Sequence, residues 1–435
     1  MTSSCINCVR MDNNGSTQLH HEGPVGIGLP TLRRNPVEKA SPFPFSVVTK
    51  PTGAACNLEC EYCFFLSKEL LYDDKRQRMS QEGLERYIQT FLASQPDGPV
   101  TMLWQGGEPT LRGLDFFKAM VRLVEQYRRP EQIVSHSLQT NATLINEDWA
   151  TFFAENNFLV GVSFDGPQYL HDVYRVNKGH RGTYAMVERG WRILQEHNVD
   201  LNILCTVSAS NQDHPEEVYT HFRDVLGARY MQFIPIVERV NQENLARAEL
   251  GWTKSELLYQ QHGTNVTSRT VDPTKYGAFL SRIFDAWART DIGEVFVQDF
   301  DSALSALFSQ ATVCVHAPEC GNNFAMEFNG DVYACDHWVE PDYLLGNIQE
   351  TNFNELAQTQ RMQEFSLKKK AELTEQCLRC PVRNFCNGGC PKDRFVDSVD
   401  GQPRHNYLCP GYYTFFTHAE PTLRRLAHYI QAGMG

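Results

Sequence analysis

Three closely spaced cysteines, Cys56-Asn-Leu-Glu-Cys60-Glu-Tyr-Cys63, are the first residues of this 435-residue sequence whose type and spacing can do chemistry. Three thiolates so arranged can ligate three irons of a [4Fe-4S] cluster and leave the fourth iron open. The same spacing also suits a zinc ion completed by a distant His. A second set follows near the C-terminus: Cys314, Cys320, Cys335, then Cys377-Leu-Arg-Cys380, Cys386-Asn-Gly-Gly-Cys390 and Cys409. Eight thiolates divide without remainder into two four-cysteine sites that need no outside ligand, which suits electron-transfer clusters or two structural zinc ions. Asp336, directly after Cys335, is a carboxylate fixed by the ligated backbone, a good place for a base; a turn carboxylate accepting backbone hydrogen bonds is the plainer reading.

Composition limits what this chemistry can serve. A net charge of -12 argues against a broad footprint for nucleic acid or an anionic membrane surface. No run of about 18 apolar residues is present, and the first thirty residues lack the order of a signal peptide, so the expected compartment is the cytosol. Fourteen cysteines in a reducing compartment point to metal or cluster ligation rather than to disulfides. Cys205, inside an apolar run, reads as a buried small hydrophobe. Cys5 and Cys8 sit in an Asn-, Gly- and Ser-rich stretch and read as incidental thiols of a loose extension over residues 1–44.

The elements that must position these residues begin at about residue 45, where short β-rich runs alternate with amphipathic stretches, as in βα units on a parallel sheet. Strands are expected at Phe45–Thr49, Val100–Gln105, Ile133–Gln139, Leu159–Ser163, Leu201–Val207 and Tyr230–Ile236. Helices are expected at Ser80–Ala93, Leu114–Arg128, Asn146–Asn156, Tyr184–His197 and Pro215–Leu226, with Ser80, Asn146 and Asp213 as caps. Six such units make an α/β fold, a partial (β/α)6 barrel over 45–240, whose active site gathers at the carboxyl ends of the strands. Residues 241–311 read as a mostly helical bridge, with Asp272-Pro273 opening its clearest helix. The cysteine-dense region 312–412 contains a hairpin, Phe324–Phe328 and Asp331–Cys335, turning at Asn329-Gly330. Residues 413–435 read as a terminal helix.

Cys-xxx-Cys-x-Tyr-Cys, here followed by Phe64, resembles the signature of the radical S-adenosylmethionine superfamily. The resemblance implies that the methionine amino and carboxylate groups chelate the open iron and that Tyr62 lies near the adenine. It also implies contacts to the amino group from Gly107 and Glu108 of Gln105-Gly-Gly-Glu-Pro109, a hydrogen bond from Ser163, a carboxylate contact from Arg175 and adenine packing by Ile236. The eight later cysteines resemble the SPASM extension of peptide-modifying radical enzymes. That likeness implies two auxiliary [4Fe-4S] clusters, one on Cys314, Cys320, Cys335 and Cys390, the other on Cys377, Cys380, Cys386 and Cys409, and so three clusters in all.

Within these enzymes, Gly330-Asp-Val-Tyr-Ala-Cys335-Asp-His and Gln105-Gly-Gly-Glu-Pro-Thr-Leu111 resemble the anaerobic sulfatase-maturating enzymes. The resemblance implies that a 5'-deoxyadenosyl radical takes a Cβ hydrogen from an active-site Cys or Ser of a sulfatase while Asp336 takes the thiol or hydroxyl proton, giving Cα-formylglycine. Its implied partners are a sulfatase polypeptide carrying Cys/Ser-x-Pro-x-Arg and a small electron donor such as flavodoxin or ferredoxin. Two other readings stand beside it: a peptide maturase that forms thioether or carbon–carbon crosslinks, and a non-enzymatic iron–sulfur carrier or zinc-binding module.

Overall fold

A computed structural model describes residues 41, 44–73 and 78–433. Cys5, Cys8 and nearly all of the expected N-terminal extension lie outside the described residues. Six parallel strands run in sequence order: β1 (Ser46–Thr49), β2 (Gly98–Trp104), β3 (Gln132–Thr140), β4 (Phe158–Ser163), β5 (Asp200–Val207) and β6 (Tyr230–Pro235). Strand alternation divides their side chains. Val47, Leu138, Val160, Ile203 and Phe233 face outward and pack beneath the helices in the main core, which also encloses Cys205. The alternate positions face the lumen, and the six strands stand where the sequence expects them.

The helices Gln81–Ser94 and Glu147–Glu155 start on side-chain caps from Ser80 and Asn146, and Pro273–Thr290 starts on Asp272. Asp213 does not cap. The helix Pro215–Thr220 begins at His214 without a side-chain bond, and Asp213 instead pairs with Lys275 at 2.8 Å. That helix gives way to a π turn over His221–Val225, short of the expected continuous helix to Leu226.

The bridge is less helical than its pattern suggests. β7 (Arg239–Val240) and β8 (Asn265–Val266) form a small antiparallel pair, and β9 (Phe296–Val297) adds to β6 in the barrel sheet. The expected hairpin is present as β10 (Asn323–Met326) and β11 (Asp331–Tyr333), with Gly330 taking φ +91° at the turn. A left-handed residue there favours glycine. The sequence did not predict where the hairpin docks. β10 lies parallel to β1 in register Thr49 to Met326, and β12 (Leu344–Asn347) extends β11, so the sheet has ten strands with the hairpin at one end. A short antiparallel pair, β13 (Arg394–Val396) and β14 (His405–Asn406), folds over the later cysteines. The terminal helix begins at Cys409, ahead of the expected residue 413, and packs on Pro273–Thr290 where Gly411 and Gly277 meet. Among the described residues no helix is long and apolar enough to cross a membrane.

Candidate active site

Residues 50–63 leave β1 and cross the mouth of the barrel. Cys60 and Cys63 are buried in a second apolar cluster with Leu58, Tyr62, Phe64, Phe65 and Ile236. Cys56 is tied to the loop after β3: Asn141 Nδ2 reaches its Sγ at 3.7 Å, and Asn57 donates to Thr143 Oγ1 at 2.8 Å. Burial pushes the Cys60 thiol up to about 12, opposed by the charge of Arg175 and reinforced by Cys63. Cys56 is raised by burial and by Glu108, Cys60 and Cys63. Crowded buried thiols stay neutral unless a cation neutralises their thiolates, and iron supplies that charge.

The residues expected around S-adenosylmethionine surround this loop. The Tyr62 hydroxyl donates to Asp165 Oδ2 at 2.5 Å, and Arg175 Nε pairs with the same oxygen at 2.8 Å. Arg175 is 1% exposed, so a surface ion pair does not describe it. Asp165 Oδ1 accepts from the Thr206 amide at 2.9 Å, which anchors the pair to β5. Glu108 is buried and spends its carboxylate on Thr110 and Thr140 through Oε1 and on the Asn141 amide through Oε2, bracing one mouth loop against the next. Ser163 ends β4 with its hydroxyl buried, lumen-facing and without a hydrogen-bond partner among the described residues. Ile236 lines a cleft with Tyr62, Phe64, Tyr259, His337 and Lys392. That cleft joins the three-cysteine loop to the hairpin that carries Asp336.

Burial and neighbouring thiols together push up several of the later cysteines. Cys335 is raised by burial and then by Cys390, Cys314 and Cys320. Cys386 is pushed up to about 12 by burial and then by Cys409, Cys377 and Cys380. Around Cys377, Cys380, Cys386 and Cys409 the chain leaves a solvent-open cavity. No disulfide joins the described cysteines. Among the described residues, no three His, Cys, Asp or Glu side chains converge as the ligands of one metal ion do.

Asp336 is 4% exposed and lies at the exit of the hairpin. Its Oδ1 pairs with the ammonium of Lys50, which also stands 3.4 Å from Glu327 Oε1 and 3.8 Å over the Phe65 ring. Burial raises the Asp336 carboxyl, but the charge of Lys50, then that of His337 and the hydrogen bond from Lys50, outweigh it and hold the group below its ordinary value.

The family model described as Radical SAM superfamily matches residues 51–221, and the SPASM model, described as Iron-sulfur cluster-binding domain, matches residues 318–381. A serine-type anaerobic sulfatase-maturating enzyme of Bacteroides thetaiotaomicron is 41% identical over 387 residues, covering 88% of this chain and 91% of the relative. The chain belongs to the anaerobic sulfatase-maturating enzyme family. A cysteine-type anaerobic sulfatase-maturating enzyme of Clostridium perfringens is 33% identical over 395 residues, covering 89% of this chain and 100% of that protein. The solved structure titled "Native anSMEcpe with bound AdoMet and Cp18Cys peptide" superposes with a TM-score of 0.76 at 31% identity, covering 88% of this chain and 99% of that one. The cofactors of this family member are S-adenosylmethionine and [4Fe-4S] clusters, those of its two matched domains.

Several residues that shape the site carry no local signal in the sequence. Burial reveals Lys50, Asp165 and Glu327. Gln105 and Gln139, joined at 2.8 Å, stand buried after β2 and within β3.

Gly107 offers a test of the mouth. A Cβ there would lie 2.1 Å from the Ala55 carbonyl oxygen and 2.5 Å from that of Ala54, both in the backbone leading into Cys56. Gly107→Ala is expected to displace that loop, lowering 5'-deoxyadenosine formation by about tenfold or more, since small misplacements of reacting groups cost that much. Iron content and 5'-deoxyadenosine assays check it.

Proposed function

We propose that this chain oxidises an active-site Cys or Ser of a sulfatase to Cα-formylglycine under anaerobic conditions. The observation that carries this reading is a buried, charge-paired Asp336 next in the chain to His337, which lines the cleft with Tyr62 and Ile236. Relatives of both the serine and the cysteine type support it.

Cys56, Cys60 and Cys63 would hold the cluster with the open iron. Cys314, Cys320, Cys335 and Cys390 would hold the nearer auxiliary cluster, and Cys377, Cys380, Cys386 and Cys409 the other, for three in all. When bound, these groups supply the radical that takes a Cβ hydrogen and an acceptor for the second electron. Tyr62, Gly107, Ser163 and Ile236 would contact S-adenosylmethionine. Glu108 and Arg175, both engaged within the chain, would act as much by bracing the site as by touching the cofactor. Asp336 takes the proton from the target thiol or hydroxyl, so that the Cβ–S or Cβ–O bond can become double as hydrogen leaves Cβ; a serine target gives the aldehyde directly, and a cysteine target gives a thioaldehyde that water converts to the aldehyde with release of hydrogen sulfide. Phe64 and Tyr259 give the cleft an apolar wall. On this reading residues 45–240 form the cofactor barrel, 241–311 the bridge and 312–412 the auxiliary-cluster domain. The electron donor would be a small carrier such as flavodoxin or ferredoxin, and the compartment the reducing cytosol.

Incubating the reduced, cluster-loaded protein with S-adenosylmethionine and a peptide carrying Cys-x-Pro-x-Arg or Ser-x-Pro-x-Arg tests the proposal. The expected product has the mass change of –CH2SH or –CH2OH becoming –CHO. A crosslinked peptide, or 5'-deoxyadenosine with no aldehyde from any such peptide, would overturn it.

A further inference from the structure

The ends of β1 and β10 and the exit of the hairpin bring three buried charged groups together. Lys50, Glu327 and Asp336 are 0%, 1% and 4% exposed. The parallel register that sets Thr49 beside Met326 continues one residue further, because the Lys50 amide donates to the Met326 carbonyl at 2.9 Å. Lys50 and Glu327 are therefore register neighbours, and the hairpin returns Asp336 to the same ammonium. Lys68 and Glu340 complete the charged surroundings. Lys68 Nζ is held by the Tyr259 carbonyl at 2.6 Å, and a Glu340 carboxylate oxygen accepts from the Gln261 amide at 2.9 Å.

We infer that Lys50 and Glu327 are positioning residues for Asp336, a buried ammonium and second carboxylate that fix the orientation of the base's carboxylate. This rests on the reading of Asp336 as the base. Asp336 opens a short 3-10 turn, and among its described contacts its carboxylate is held by Lys50. A short side chain at the start of a turn can rotate, and a base that rotates loses the line to its proton. The Lys50 ammonium engages Oδ1, which directs the other oxygen away from Lys50 as the acceptor. Glu327 and the face of Phe65 fix the ammonium from the other sides. Lysine suits this place because its donors sit on one compact charge that bridges two carboxylates. Supporting groups that lock a reacting side chain in this way are a general need of precise sites.

The test uses cluster-loaded protein and one target peptide, and reads aldehyde formed per 5'-deoxyadenosine, KM for the peptide, iron per chain and melting temperature. Lys50→Met is expected to lower the aldehyde ratio by about tenfold through kcat, with KM and iron content held and 5'-deoxyadenosine still formed. Lys50→Arg, which keeps the charge, is expected to recover part of the loss. Lys50→Met added to Asp336→Asn is expected to lose nothing beyond Asp336→Asn alone, because groups acting through one another are not additive. An unchanged ratio in Lys50→Met, or a double variant that multiplies the two losses, would overturn the inference. If Lys50→Met does not fold or load, Glu327→Gln carries the test: a ratio lowered about threefold supports the clamp, and an unaltered one refutes it. Impairment by Asp336→Asn with no effect at Lys50 or Glu327 removes only this inference. A fully active Asp336→Asn removes the base reading with it.

Discussion

Asp336→Asn is expected to leave 5'-deoxyadenosine formation in place while lowering aldehyde yield by about 10²–10⁴-fold, the usual contribution of a positioned general base. Asn matches Asp in shape but does not take up the proton that the target thiol or hydroxyl must shed. The three-cysteine loop, the Tyr62 and Arg175 bonds to Asp165 and Ser163 at the end of β4 belong to other elements and keep their geometry. The change also leaves Lys50 with Glu327 as its remaining carboxylate partner in the trio, and breaking a buried pair costs about 3–5 kcal/mol. A lower melting temperature should therefore accompany the lost aldehyde. Quantifying 5'-deoxyadenosine and modified peptide in the same reaction separates the two effects. Equal loss of both products would mean that the substitution damaged cofactor binding, and unimpaired aldehyde formation would remove Asp336 from its role.

The barrel was legible because its strands and helices carry local periodicity that needs no knowledge of the rest of the chain. β1 to β6 and the caps at Ser80, Asn146 and Asp272 follow from side chains within a few residues of each element. The hairpin was legible as a hairpin, since Asn329-Gly330 encodes its turn. Its docking beside β1 was not, because strand partners far apart in sequence leave no mark in either strand alone. Lys50 and Glu327 remained hidden for the same reason: each is an ordinary charge until the hairpin docks and buries it.

The division of the later cysteines was equally out of reach of spacing. Cys386 and Cys390 are four residues apart, yet beyond burial and Asp393 the thiols that raise Cys390 are Cys320 and Cys314, whereas those that raise Cys386 beyond burial are Cys409, Cys377 and Cys380. The chain between them reverses through three left-handed residues, Asn387, Gly388 and Gly389, at φ 47°, 75° and 62°. Two adjacent glycines make that reversal inexpensive and turn the neighbouring thiols toward different sets. The grouping implied by family resemblance separates Cys386 from Cys390, whereas adjacency in sequence would have paired them.

The combined variant Cys56→Ala, Cys60→Ala and Cys63→Ala is expected to abolish 5'-deoxyadenosine formation outright and to remove about four irons per chain, the content of one [4Fe-4S] cluster. The fold should survive. Cys60 and Cys63 belong to an apolar cluster anchored by Tyr62, Phe64, Phe65, Trp252 and Tyr259, and alanine is accepted there with a small loss of packing. The loop keeps its backbone ties, from the Glu59 amide to Val176 at 2.9 Å and from the Glu61 amide to Tyr174 at 3.0 Å. The later cysteine sets lie in other elements and should load as before. In Cys377→Ala with Cys380→Ala the order reverses: the three-cysteine loop is intact, so S-adenosylmethionine is still cleaved when a strong chemical reductant supplies the electron, while iron falls by a similar amount. Iron analysis, electron paramagnetic resonance of the reduced proteins and 5'-deoxyadenosine assays distinguish the two variants. If the triple variant still cleaved S-adenosylmethionine at a rate near that of the parent, the radical would have to arise at one of the later sets. The unequal roles given to the three cysteine groups would then be wrong. Loss of all iron on removing only the first three thiols would instead mean that the clusters load as one cooperative unit, with the mouth loop serving the whole fold.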